Sequence, residues 1–287
     1  MNTGIWVVLA AAALIIAWVV AEPAMRARRR RRHRRLQLGE ADRMYLRRRV
    51  PLYRRMPEPE RQRLDGLVRV FLEEKEFVGC QGLQVTRHMR LAVAAQACLL
   101  VLGRDEHVYD ALRSILVYPG QFVVPEQWHD EDGVVTEEER ILSGQAWDVS
   151  RIILSWEDVE ARAAGAEAYN VVIHEFAHYL DHEGGGLDGA PALDGRTEHA
   201  RWAATFTEAF AALRDAVERG EPTFLDPYAA EDEAEFFAVC SEAFFEAPVQ
   251  LRERHAALYT QLASYYRLDP AAWPEPAAAS GPGERAR

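Results

Sequence analysis

Apolar residues occur in three different patterns along the chain. The first is an unbroken apolar run from Ile5 to Ala21, which is close to the length that spans a bilayer as a helix. From Arg63 the apolar positions recur every three or four residues, which predicts an amphipathic helix, and similar spacing predicts a second helix over 88–102. Between 114 and 155 the apolar runs are short and favour strands.

The strand region and the helices after it define the expected fold. Residues 114–124 predict two short strands around Pro119 and Gly120, and further strand candidates end in Arg151–Ser155. Helical spacing then returns and predicts helices over 169–182, 199–219, 232–246 and 249–266. We therefore expect an α+β domain over 63–270 that is rich in helices and contains a small mixed sheet, preceded by one N-terminal transmembrane helix.

The N-terminal apolar run has three interpretations: a transmembrane anchor over 4–22, a cleavable signal peptide or a buried core helix. A signal peptide places its positive charges before the apolar stretch, whereas here the arginines begin at Arg26, after it. By the positive-inside rule this order favours an anchor with its N-terminus outside and the body in the cytoplasm. The sequence thus predicts a single-pass protein of the bacterial inner membrane, with the membrane as one partner.

Charge divides the chain into a basic segment and an acidic body. Residues 26–69 carry 17 arginines against five acidic residues, although the net charge of the whole chain is -11. We interpret 23–62 as a basic juxtamembrane segment and the Ala/Pro/Gly-rich residues 271–287 as a disordered tail. An acidic body argues against extended nucleic-acid binding, so no direct nucleic-acid partner is expected. A weaker alternative is that the arginines over 26–35 bind nucleic acid at the membrane surface.

The segment that carries chemistry is the motif H-E-x-x-H, formed by His174, Glu175 and His178. Residues four apart share one face of a helix, so the two imidazoles can bind one metal ion. Neutral imidazoles suit zinc, and Glu175 follows beside the open position as a general base for a water molecule. The alternative is that the two histidines are satisfied core residues. The three cysteines lack C-x-x-C spacing, so a cysteine zinc knuckle is excluded.

A catalytic zinc site needs a third protein ligand. His182 lies one helical turn too far along to share the ion, and Gly184 occupies the place of the third histidine of the longer H-E-x-x-H-x-x-G-x-x-H motif. A carboxylate therefore remains. Glu235 and Glu242 lie seven residues apart on one apolar helix face. Burying an unpaired carboxylate there is costly, so a partner such as a metal ion is expected.

Several further segments resemble one known family. The sequence is similar over about 63–270 to the zinc-dependent peptidase family of Mlc titration factor A, which is related in fold to the catalytic domain of anthrax lethal factor. The resemblance is carried by Ala94–Leu100, Val117–Pro119, Leu142–Gly144, Ile153–Trp156, His174–Asp181, Tyr228 and Glu235–Val239.

The resemblance implies a zincin-like fold and a role for each site residue. His174, His178 and Glu235 would bind one zinc ion per chain, and Glu175 would be the general base. Tyr228 would stabilise the oxyanion of the reaction, although a structural tyrosine in a turn is the alternative. Glu242 would orient a ligand histidine.

These expectations lead to two competing functions. The first is a membrane-anchored zinc metallopeptidase acting on a peptide or protein substrate, with Arg151–Ser155 as an edge strand that pairs with the substrate backbone. The second, implied by the resemblance, is a regulator that sequesters a transcriptional repressor and has weak or vestigial peptidase activity. The glycine-rich loop 183–193 after the metal helix is expected to be either a mobile rim of the cleft or a linker.

Overall fold

The computed structural model describes residues 3–104, 109–120, 122–129, 135–142, 144–163 and 170–274. Its α-helices are α1 (Thr3–Arg34), α2 (Glu40–Arg49), α3 (Pro51–Arg55), α4 (Glu58–Glu74), α5 (Arg87–Leu100), α6 (Trp156–Ala163), α7 (Val171–Glu183), α8 (Arg196–Glu218), α9 (Glu233–Glu246), α10 (Pro248–Arg254) and α11 (Ala256–Tyr266). Short 3-10 helices are formed by Pro227–Ala230 and Pro270–Ala272. The strands are β1 (Glu76–Gly79), β2 (Ser114–Tyr118), β3 (Phe122–His129), β4 (Val135–Leu142), β5 (Gly144–Asp148) and β6 (Arg151–Ser155).

The described strands form a four-stranded mixed sheet and a separate hairpin. The sheet has the order β1-β2-β6-β5, in which β1, β2 and β6 are parallel and β5 is antiparallel to β6. The hairpin consists of β3 and β4. The helix-rich α+β architecture with a small mixed sheet is therefore confirmed. Arg151–Ser155 was predicted as an edge strand, and this is wrong: β6 lies between β2 and β5, and its Ile152 and Leu154 are buried.

The helices that the sequence predicts are present in the structure, but some of them begin, end or divide at residues that the spacing of apolar positions does not indicate. The predicted helix 249–266 is two helices, because His255 leaves helical geometry at φ -135° and ψ 58°. The helix predicted from Arg63 begins at Glu58, with Pro57 as its N-cap residue. Prolines favour the start of a helix, where the missing N–H has no partner to lose.

The N-terminal helix α1 divides into an exposed and a packed half. The apolar side chains of its first part, such as Trp6, Leu14 and Val20, are exposed. The transmembrane anchor predicted over 4–22 is not confirmed. Among the described residues, no helix combines the length and the apolar character needed to cross a membrane. The membrane location of the protein stays a prediction.

The second half of α1 packs on α4. The Arg30 guanidinium forms ion pairs with Glu74 at 2.7 Å and with Asp110 at 2.6 Å. Gly66 permits the close approach of the two helices, because a Cβ atom at this position would lie only 2.4 Å from the backbone oxygen of Arg34. The arginine-rich end of α1 is thus fixed to the body.

Residues before Arg63 contribute to the hydrophobic core. Leu38, Leu46, Leu52, Tyr53 and Met56 are buried in the same cluster as the later helices. Their burial in this cluster means that part of the segment interpreted as juxtamembrane packs as part of the body.

The last described residues also pack against the body. Trp273 is buried in the core cluster, next to the short helix Pro270–Ala272. The rest of the tail predicted as disordered, residues 275–287, lies outside the described residues.

Asp65 joins the N-terminal helices through buried polar contacts. Its carboxylate is fully buried, accepts a hydrogen bond from the Tyr53 hydroxyl at 2.8 Å and pairs with the Arg43 guanidinium at 2.6 Å. These contacts connect α2, α3 and α4. Because its partners come from two other helices, the carboxylate fixes their relative positions.

Replacing Asp65 by alanine is expected to destabilise the protein by about 3–5 kcal/mol, because the partly buried Arg43 guanidinium and the buried Tyr53 hydroxyl lose their partner. The free energy of unfolding from urea denaturation measures the loss. Glu221→Ala, which removes an exposed ion pair with Arg219, is the control and should leave the urea midpoint unchanged. Equal midpoints for the two variants would contradict the structural role of Asp65.

Candidate metal centre

Helix α7 carries the H-E-x-x-H motif through the core. Asn170 begins the helix as its N-cap, because its side-chain oxygen accepts a hydrogen bond from the backbone N–H of Ile173 at 3.1 Å. Val172 and Phe176 are fully buried, and the helix packs against α5, α9, β5 and β6. Helix α7 therefore has neighbours on several sides. Its two histidines are four residues apart, so they lie on one face of the helix, and this face is turned towards α9.

His174 and His178 converge with Glu235 of α9. The Nε2 atoms of the two histidines lie 3.1 Å apart. Oε2 of Glu235 lies 3.0 Å from Nε2 of His174 and 3.5 Å from Nε2 of His178. These three residues form a group whose ligand atoms all lie within 4.8 Å of one another. The α7–α9 contact therefore brings together two imidazole nitrogens and one carboxylate oxygen.

This donor set fits a metal cation. Two imidazoles and a carboxylate are the protein ligands of one common type of catalytic zinc site. Oε2 of Glu235 is buried and lies close to both imidazoles, yet among the described residues none of these contacts has the geometry of a good hydrogen bond. A buried carboxylate oxygen without a donor is costly, and a shared cation would satisfy it.

The charges at the site influence one another strongly. Burial alone would raise the pKa of Glu235, but the adjacent His174 and His178 outweigh it and hold this pKa below its usual range. Burial likewise opposes the charged form of His174, but its contacts with Glu235 and Glu242 outweigh burial and raise its pKa. Protons and a metal cation therefore compete for the same nitrogen lone pairs.

Glu242 lies at the Nδ1 side of the His174 ring, whereas Glu235 lies at Nε2. Its Oε1 atom is 2.8 Å from Nδ1 of His174, and its Oε2 atom accepts a hydrogen bond from the backbone N–H of Asn170 at 2.6 Å. A carboxylate on Nδ1 fixes the imidazole so that Nε2 is left for a metal ion. Burial raises the pKa of Glu242, while the hydrogen bond with His174 opposes this change.

Glu175 is almost fully buried beside the two histidines. Its Oε2 atom has no hydrogen-bond partner among the described residues. Burial raises the pKa of Glu175 to about 7, and the nearby His174 and His178 limit the rise. A carboxylate with a pKa near neutrality can both accept and return a proton.

Tyr228 lies at the open side of the same cluster. It belongs to the 3-10 helix Pro227–Ala230, whose N-cap Asp226 accepts a hydrogen bond from the Tyr228 backbone N–H at 2.9 Å. The Tyr228 ring centroid is 6.1 Å from that of His174, and the side chain is 46% exposed. Burial of its hydroxyl group and the neighbouring Glu235 carboxylate raise the pKa of Tyr228, so the phenol is a hydrogen-bond donor at neutral pH.

The loop after α7 is attached to the metal helix and to α8. The Asp181 carboxylate accepts a hydrogen bond from the Gly189 N–H at 2.9 Å, and the Trp202 indole donates to the Gly189 carbonyl at 2.9 Å. Gly189 has φ +72°, and a Cβ atom here would lie 2.3 Å from the carbonyl oxygen of Glu233. These contacts place the middle of the loop against the start of α9, the helix that carries Glu235.

The structure brings together all the residues predicted for the site: His174, Glu175, His178, Tyr228 and Glu235. Their catalytic and metal-binding roles stay predictions. Residue spacing alone does not distinguish Glu235 from Glu242 as the third ligand. The structure places Glu235 at both Nε2 atoms and Glu242 at Nδ1 of His174.

Two further residues of the site, Asn170 and Gln96, are not among the residues that the sequence predicts for it. Asn170 stands directly before the apolar run of α7, and its type and place are a signal for an N-cap. Gln96 contacts Asn170 from α5, and no local sequence pattern marks a pairing of residues so far apart in the chain.

Two of the cysteines, Cys98 and Cys240, are buried and free, in keeping with a packing role.

The chain is similar in sequence to a family of metallo-peptidases. The model of the family described as "Glucose-regulated metallo-peptidase M90" matches residues 25–267. The Synechocystis protein slr2042 is 38% identical over 227 residues, which cover 77% of this chain and 82% of the relative. "Mlc titration factor A" of Yersinia pestis (strain Pestoides F) is 36% identical over 226 residues, covering 78% of this chain and 83% of the relative. The chain therefore belongs to the glucose-regulated metallo-peptidase M90 family.

Proposed function

We propose that this protein is a zinc-dependent peptidase. The observation that supports this function best is the convergence of His174, His178 and Glu235 beside the buried carboxylate of Glu175. A bound zinc ion would polarise the substrate carbonyl and lower the pKa of a water molecule. The chain's own residues would then position the substrate, move the proton and stabilise the developing charge.

Glu175 is the proposed general base. Its buried carboxylate interacts electrostatically with His174, His178 and Glu235, and its raised pKa suits proton transfer near neutral pH. It takes a proton from the attacking water as the new C–O bond forms. It then delivers this proton to the amide nitrogen as the C–N bond breaks, so that the amine leaves in neutral form.

Tyr228 is the proposed donor to the oxyanion. In this structure its phenol lies beside Glu235, at the border between the buried ligands and solvent. A peptide that enters from the open side would place its carbonyl between the metal ligands and this hydroxyl. A hydrogen bond that strengthens as the carbonyl oxygen becomes negative stabilises the transition state more than the substrate.

The proposed substrate is a peptide bound in extended form along β5. This strand is at an edge of the described sheet and packs next to α7. An edge strand offers unpaired N–H and C=O groups with which an extended peptide can form backbone hydrogen bonds. β5 thereby takes the role that the sequence analysis gave to Arg151–Ser155, whose own pairing groups are used by β2 and β5.

The metal site predicts one zinc ion per chain. Elemental analysis of the full chain, purified under zinc-replete conditions, should give about one zinc per protein. His174→Ala should lose the zinc, because it removes a ligand and releases Glu242 from its partner. His199→Ala, at an exposed position on α8, is the control and should keep the metal. A folded parent protein without zinc would contradict the proposed function.

Glu175→Gln is expected to keep zinc but to lower kcat for peptide hydrolysis by about 10²–10⁴-fold, because the amide cannot accept the proton of the attacking water. Glu233→Gln, which removes an exposed carboxylate on α9, is the matched control and should retain parental activity. The measurement is hydrolysis of a quenched-fluorescent peptide library together with zinc content. Parental turnover by the zinc-loaded Glu175→Gln variant would rule out this role.

Tyr228→Phe is expected to lower kcat by about 10²–10³-fold with little change in KM, because the lost hydrogen bond forms mainly in the transition state. The ring remains, so zinc content and thermal stability should match those of the parent. Steady-state kinetics on the best library peptide separates the two parameters. A rise in KM at constant kcat would instead assign Tyr228 to substrate binding.

A second function is binding of a protein partner. It is supported by the name "Mlc titration factor A" of relatives that are 36% identical over most of this chain. In this alternative the chain binds a transcriptional repressor, and peptidase activity is weak or absent. The two functions separate in Glu175→Gln, since a binding function survives loss of the general base and a peptidase function does not.

A further inference from the structure

We infer that Asn170, Gln96 and Glu246 act together as positioning residues for the metal site; we call them the Asn170 cluster. The cluster would fix the start of α7 on α9 and, through Glu242, the orientation of His174. This inference rests on the proposed metal site but concerns residues with no contact to the ligand atoms. Nothing in the H-E-x-x-H motif itself implies it.

Asn170 uses its backbone N–H and both ends of its carboxamide. The side-chain oxygen accepts from the Ile173 N–H and caps α7. The backbone N–H donates to Oε2 of Glu242 at 2.6 Å. The side-chain nitrogen donates to Gln96 at 2.8 Å and to Glu246 at 2.5 Å. One buried residue thus joins α5, α7 and α9.

The two bonds from Asn170 to α9 fall on one face of that helix. Glu242 and Glu246 are four residues apart, and Glu235 lies seven residues before Glu242 on the same face. This face is the one that meets α7. The distance that Asn170 sets at one end of the α7–α9 contact therefore governs, two turns away, how closely Glu235 approaches the histidines.

Glu242 transmits the position of Asn170 to the metal ligand. One of its oxygens is bonded to the Asn170 N–H and the other lies 2.8 Å from Nδ1 of His174. A shift of Asn170 would move this carboxylate and rotate the imidazole. Contacts of this kind behind a metal ligand commonly change metal affinity by about 10–100-fold when they are removed.

Asparagine is the side chain that meets all of these demands. Aspartate would keep the cap but replace two donors by a charge next to the carboxylates of Glu242 and Glu246. Serine would also keep the cap, yet it would leave Gln96 and Glu246 without their donor. Gln96 is itself held, since its side-chain nitrogen donates to the Ala92 carbonyl at 3.1 Å, so its oxygen is presented to Asn170.

The test compares Asn170→Ser and Gln96→Leu with the parent in the full chain. Asn170→Ser keeps a good N-cap, so α7 should still form. Zinc dissociation constants from competition with a chelator should rise about 10–100-fold in Asn170→Ser and less in Gln96→Leu. The visible spectrum of the cobalt-substituted Asn170→Ser protein should also change, which a loss of stability alone would not produce.

Thr86→Ala is the matched control. Thr86 caps α5 by accepting from the Met89 N–H at 3.2 Å, far along the helix from Gln96. Its loss should lower stability by about 1 kcal/mol, as expected for an N-cap, without changing the zinc dissociation constant or the cobalt spectrum. The double variant of Asn170 and Gln96 should bind zinc no worse than Asn170→Ser alone, because the two residues act through one hydrogen bond.

The outcomes separate this inference from the proposed function. Parental zinc affinity and cobalt spectrum in Asn170→Ser would overturn the inference and leave the zinc site intact. Additive effects of the two substitutions would remove Gln96 from the cluster. If the parent binds no zinc, the proposed function fails. Proton NMR of the metal-free chain then tests the Asn170 cluster independently of the metal. A His174 Nδ1–H resonance that is slow to exchange in the parent and fast in Asn170→Ser supports the cluster, and identical exchange overturns it.

Discussion

The packing of α7 on α9 is the contact on which the rest of the site depends. Helix α7 supplies two imidazoles and the Glu175 carboxylate, and α9 supplies Glu235 and Glu242. Neither helix holds the ligand set alone. Apolar neighbours enclose both helices, so the relative position of the donor atoms is set by close packing and by a few buried hydrogen bonds. The fold thereby holds together polar atoms that would be separated and hydrated by water in the unfolded chain.

The same site concentrates several carboxylates in a buried environment, where their negative charge is poorly solvated. Glu175, Glu235 and Glu242 lie close together around two imidazoles, and Glu175 and Glu242 are removed from water. Protons on His174 can compensate part of this negative charge, which agrees with the raised pKa of that residue. A divalent cation at the three ligand atoms would compensate it more fully. Burial, together with a smaller contribution from the Glu235 and Glu242 carboxylates, raises the pKa of Glu175.

The sequence predicts much of this arrangement because the strongest signals are local. The apolar spacing locates α5, α7, α8 and α9 to within a few residues, and the motif at His174 identifies the helix that carries two of the candidate metal ligands. The strand order depends on contacts between distant segments, so Arg151–Ser155 was assigned to an edge that β5 occupies. The N-terminal helices carry many arginines, and this charge favours a solvated segment over a packed one. Leu46 and Tyr53 are nevertheless buried, and they pack these helices into the core. The contact between Gln96 and Asn170 is likewise a product of tertiary packing that no periodic pattern records.

The chain connection between α7 and α9 has a consequence for how the three candidate metal ligands come together. Two ligands lie within one helical turn, and the third arrives only after α8 and the 3-10 helix that carries Tyr228. A single break in this connection would remove no ligand, yet it would replace an intramolecular encounter by a bimolecular one. The intervening polypeptide therefore acts as a tether that raises the effective concentration of Glu235 at the two imidazoles.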